Sequence, residues 1–129
     1  MKRRLWKLFR VFLRCALWIA AFAAFVYLCS YLSDAHTRAT KAPDCKWIAV
    51  ENPDNVPYTA RFCYLTKDTV LLRLYDAEEL HLLAERTYFN LDRPFIAFVQ
   101  DELVFDTYPE GSFIALPPSL VERLRAKLP

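Results

Sequence analysis

Residues 15–32 read Cys-Ala-Leu-Trp-Ile-Ala-Ala-Phe-Ala-Ala-Phe-Val-Tyr-Leu-Cys-Ser-Tyr-Leu, eighteen positions without a charged side chain. As an α-helix rising about 1.5 Å per residue, this stretch spans about 27 Å. Counted from Val11 it spans about 33 Å, the thickness of a bilayer's hydrocarbon core. A buried helix of a soluble protein of this length keeps a polar face, and this one has none. Arg14 falls within a turn of one end, where its long side chain can snorkel to headgroups. Trp6, Tyr27 and Tyr31 occupy positions suited to the membrane interface. The expectation is one transmembrane helix over residues 11–32.

Charge sets the expected orientation. Six cations (Lys2, Arg3, Arg4, Lys7, Arg10 and Arg14) precede Asp34 and no acid does, whereas only Arg38 and Lys41 closely follow the apolar stretch. The positive-inside rule therefore puts residues 1–10 in the cytoplasm and the rest of the chain across the membrane. The absence of an Asn-x-Ser/Thr sequon favours a bacterial inner membrane, with the following domain in the periplasm. Ser33-Asp34-Ala35 loosely resembles a signal-peptide cleavage site. The apolar stretch, however, is longer and bulkier than a signal core, so an uncleaved anchor is expected. Ala16, Ala20 and Ala24 recur at four-residue spacing, a small-residue stripe that admits a second helix, of this chain or another.

The formal net charge of +2 conceals an asymmetry. From Asp34 onward eleven basic residues face fifteen acidic ones, so the outer part carries −4. A basic nucleic-acid-binding surface is therefore not expected. With 129 residues the chain has room for one small domain beyond the anchor. A single glycine, Gly111, rules out glycine-rich phosphate loops.

Residues 33–42 are polar and short-sided and read as a linker; residues 43–129 form the outer domain. Cys45 and Cys63 are the only cysteines outside the apolar stretch, and in an oxidising compartment such a pair is expected to form a disulfide.

Strands are expected over 46–50, 58–66, 69–75, 95–100, 103–107 and 112–116. Lys67-Asp68 and Asp101-Glu102 would supply hairpin turns. Asp76-Ala77-Glu78-Glu79 has the form of a capping box opening a helix with Leu80, Leu83, Ala84 and Tyr88 on one face. Ser119-Leu120-Val121-Glu122 repeats that form, with Leu120, Leu124 and Leu128 along one side. The resulting order, βββαβββα, defines an α+β domain built on an antiparallel sheet with helices on one side.

Catalytic signals are sparse. The acids Asp101, Glu102, Asp106 and Glu110 lack calcium-loop spacing. Cys45, Cys63, His36 and His81 lack zinc-ligand spacing. His81 lies beside Glu78 and Glu85 at helical spacing, as on a solvated helix face. No nucleophile elbow or zinc-protease motif occurs. Neither metal nor cofactor is expected, and the leading expectation is a non-enzymatic binding module acting on an envelope protein partner. Its candidate surface is Phe105, Asp106, Tyr108, Glu110 and Phe113, where aromatics and acids mix. An immunity protein against a periplasm-acting toxin and a small envelope enzyme are the alternatives.

Overall fold

In a computed structural model, residues 2–53 and 55–128 are described, apart from the side chains of residues 2–5 and 7–9. The chain divides into two compact units, Met1–His36 and Thr37–Pro129.

Helix α1 runs Lys2–Lys41. It contains the one helix, among the described residues, that is long and apolar enough to cross a membrane. Leu17, Trp18, Ile19, Phe22 and Phe25 all lie exposed along it. Residues 33–41, expected as a polar linker, are helical. The backbone bond from Ala42 to Arg38 completes the final turn, and Arg38 and Lys41 near the C-terminus suit the helix dipole.

The second unit is an antiparallel α+β domain of two sheets. Strands β1 (Ile48–Ala49), β2 (Tyr58–Tyr64), β3 (Thr69–Asp76) and β4 (Leu82–Phe89) form one, in the order β1-β2-β3-β4. Strands β5 (Ile96–Val99), β6 (Glu102–Phe105) and β7 (Ser112–Ala115) form the other, again in chain order. Helix α2 (Leu120–Arg125) follows.

Period-two alternation explains where the core sits. On β3, Val70, Leu72 and Leu74 point one way, beside Ala60 of β2 and Ala84 and Tyr88 of β4. They meet Phe98, Leu103, Phe105 and Ile114 from the second sheet. Leu71 points the other way and packs with Cys63, Leu65 and Ala42, under Trp47. A central strand covered on both sides accounts for the unbroken apolar run Val70-Leu71-Leu72.

The Cys45–Cys63 disulfide is present, with the Cα atoms 6.0 Å apart. Cys63 is fully buried beside Leu71. Above that cluster Glu85 joins two arginines, Arg38 at 3.3 Å and Arg73 at 2.7 Å. The Arg73 guanidinium lies 5.0 Å from the centroid of the Trp47 ring.

The expected helix opening at Asp76 is instead a turn followed by strand β4. Asp76 does act as a cap, but of a turn: its Oδ1 accepts from the amides of Leu80 at 2.8 Å and His81 at 3.3 Å. Glu79 has φ 57°, a left-handed conformation that ends any helix there. His81 Nδ1 lies 2.8 Å from Asp76 Oδ2, and this bond is the main cause holding the Asp76 carboxyl below its ordinary range. Beyond the turn, β4 pairs along nearly all of β3, satisfying a backbone edge that a helix would have left open. Ala84 and Tyr88 fit both the helical stripe and the alternating pattern, so their spacing does not separate the two. A second, smaller difference concerns the β5–β6 turn, which lies at Gln100-Asp101, one residue earlier than expected, with Gln100 at φ 51°.

Tyr88 packs against Phe105 with the rings tilted by 43°, centroids 5.0 Å apart. Its hydroxyl is buried and has no partner among the described residues. Burial first, then the nearby Tyr64 and Asp106, pushes its ionisation far above the usual tyrosine range. Tyr88→Phe removes a desolvated hydroxyl while keeping the ring. It should leave stability unchanged or raise it by up to about 1 kcal/mol in a denaturant titration. A loss larger than that would show that the hydroxyl is satisfied in solution.

Candidate interaction surface

The second sheet positions the surface. Its inner row (Ile96, Phe98, Leu103, Phe105, Ser112 and Ile114) alternates with an outer row set by the same register. The outer positions are Ala97, Val99, Glu102, Val104, Phe113 and Ala115. Val104 lies between Ala97 and Phe113 in the ladder, and Glu102 between Val99 and Ala115. Five of these six side chains are apolar, and Phe113 is 60% exposed. Such a face ordinarily alternates polar outward when it meets water.

The expected surface residues divide on this frame. Phe113 lies on the outer face, on the edge strand β7 beside the central Val104. Phe105, one register position from it on the inner row, is only 2% exposed and belongs to the core against Tyr88. It is therefore not available to a partner. Strand alternation explains the reversal, because Phe105 pairs with Ser112 rather than with Phe113.

Asp106, Tyr108 and Glu110 lie on the loop between β6 and β7 and are exposed. The Asp106 carbonyl accepts from the buried Asn90 Nδ2 at 2.8 Å, and its amide donates to Phe95 at 3.0 Å. Asn90 Oδ1 in turn accepts from the amide of Asp92 at 2.8 Å. These bonds fix the loop against the end of β4. Tyr108 packs edge-on against Phe89, centroids 6.4 Å apart. Asn90, Asp92, Asp106 and Tyr108 border a shallow cleft of about 140 Å³. Thr107 Oγ1 holds the loop closed by donating to the carbonyl of Glu110.

Among the described residues no group of three or more His, Cys, Asp or Glu side chains is placed to hold a metal ion. Ala16, Ala20 and Ala24 lie exposed on α1 and within one arc of it, as their spacing requires. The outer row of the second sheet does not stand out as a unit in the sequence. Its signal was the pairing of small and apolar residues at alternate positions, Ala97/Val99 and Phe113/Ala115, on strands whose inner rows were already filled. No family model, curated protein or solved structure matches this chain.

Proposed function

We propose that this chain is a membrane-anchored, non-enzymatic binding module. In this reading α1 spans a bacterial inner membrane with the N-terminus in the cytoplasm, and the domain engages an envelope protein from the periplasm. The observation that carries it is the outer face of β5–β7, where Val99, Phe113 and Ala115 are exposed and Ala97 and Val104 half-buried, with Glu102 the one polar side chain in the row. An apolar centre with acids nearby at Asp106 and Glu110 has the make-up of a docking patch with a polar rim. The basic N-terminal flank supports the orientation, and the disulfide supports an oxidising compartment. Anchoring would confine the domain to a thin layer and raise its effective concentration toward neighbours.

The test is in-cell photocrosslinking from position 115, exposed on the same outer row, of the full-length chain. A stoichiometric partner is expected, and Phe113→Arg should weaken its capture roughly thirtyfold or more, as for a large aromatic anchor at an interface. The same substitution, at an exposed position, should change domain stability by less than about 0.5 kcal/mol. Unchanged capture with Phe113→Arg would remove this face from the interaction. Recovery of the chain alone would overturn the adaptor reading.

A further inference from the structure

Helix α2 turns its apolar side outward. At about 100° per residue, Leu120, Val121, Leu124 and Leu128 share one arc of α2 and the turn that follows it. Backbone bonds from Lys127 to Leu124 and from Leu128 to Arg125 continue that curl. All four side chains are well exposed, Leu120 at 76%. The opposite side, Glu122 and Ala126, is the half-buried one. Glu122 is held there by Arg86, which projects from the core-facing row of β4. The Ser119 hydroxyl accepts from the Glu122 amide at 3.3 Å, as a cap should. The Glu122 carboxylate, however, is committed to Arg86 rather than closing the capping box.

The cations of this segment border the apolar arc. Arg125 flanks it on one side, Arg123 and Lys127 on the other, by the same helical spacing. The helix dipole explains cations near a C-terminus but not leucines pointing into water. The segment also runs against the domain's own charge. The outer part of the chain carries −4, yet here three cations accompany one acid that Arg86 already pairs.

We propose that α2 is a lipid-facing element that lies in the headgroup layer of an anionic bilayer. Leu120, Val121, Leu124 and Leu128 enter the acyl boundary, and Arg125 and Lys127 reach the phosphates, joined by the remaining N–H groups of Arg123, whose Nε donates to the Pro118 carbonyl at 3.1 Å. An apolar arc edged on both sides by long cationic side chains is the arrangement of an in-plane helix. This inference rests on the membrane-anchored reading. Thr37, where the folded unit begins, is five positions beyond Leu32, so the anchor keeps the domain near lipid. A helix this short binds lipid weakly alone, and the tether supplies the concentration it needs.

The experiment uses the full chain with Cys15→Ser and Cys29→Ser, placed in nanodiscs of phosphatidylcholine alone or mixed equally with phosphatidylglycerol. A nitroxide is attached through Leu124→Cys or, separately, through Phe22→Cys. In the mixed lipid, the label at 124 should gain oxygen accessibility and lose accessibility to a soluble nickel chelate. Arg123→Gln, Arg125→Gln and Lys127→Gln together should weaken that association about a hundredfold. A label at 124 that stays open to nickel in both lipids, while the label at 22 is shielded, overturns the α2 proposal and leaves the anchor standing. A label at 22 open to nickel overturns the anchor reading itself. Spin–spin broadening between labels at 124 would show a second copy on this face and equally overturn the lipid assignment.

Discussion

Replacing Cys45 and Cys63 together with alanine should lower the unfolding free energy of the folded domain by about 3 kcal/mol. The bridge closes an eighteen-residue span, and in the loop-entropy account most of its effect lies in restricting the unfolded chain. The native side adds a local reason. Strand β1 is only Ile48–Ala49, both exposed, so it has little burial of its own to hold it on β2. The bridge fixes the chain just before β1 to the buried Cys63. For a domain of this size the midpoint should fall by roughly 15 °C. Thermal melts of the full chain in mild detergent, followed by near-ultraviolet circular dichroism, would measure it. A shift of only a degree or two would mean that the Leu71–Leu65–Ala42 cluster holds this face without the covalent link.

Glu85→Ala should cost a similar amount, about 3 kcal/mol. It leaves Arg38 and Arg73 facing each other with their shared carboxylate gone, both largely screened from water. Breaking a buried pair by removing one member costs about 3–5 kcal/mol. The side chains here retain 14–26% exposure, which places the effect at the lower end. Glu85→Gln keeps the shape and part of the hydrogen bonding and should cost less. Urea unfolding of both variants, with Arg73→Ala added to complete a double-mutant cycle, separates the pair from the burial. A loss below about 0.5 kcal/mol for Glu85→Ala would show that the three groups act as an ordinary exposed network.

The elements most legible in the sequence were those whose physics is local. The uncharged run of residues 15–32 can satisfy its backbone only as a helix when no polar face exists. The Cys45/Cys63 pairing followed from there being no other cysteine outside that run. The β2–β3 and β5–β6 hairpins followed from alternation on both sides of short polar turns. Asp76–Tyr88 was not legible because its N-terminal residues do make a cap, and only the need of β3 for a second neighbour decides between turn-plus-strand and helix. The direction of α2 was hidden for a related reason. Its leucine stripe says which residues share a side, but a single partner, Arg86 on β4, determines which side meets the domain. The candidate interaction surface was half legible. Phe113 and Phe105 look alike in sequence, and the ladder register alone puts one in water and the other in the core.

Both sheets are meanders in which every strand after the first of its sheet is hydrogen-bonded to its predecessor in the chain. A polypeptide emerging N-terminus first therefore lays each strand against one already in place, and no strand waits for a later segment to be inserted between two earlier ones. Assembly can proceed vectorially, with β3 receiving its second neighbour as soon as residues 82–89 appear. Only the closing of one sheet over the other must wait for the end of the chain. The order of synthesis and the order of strand addition are thus the same, so a domain threaded through a narrow exit needs no rearrangement of pairings once it is free.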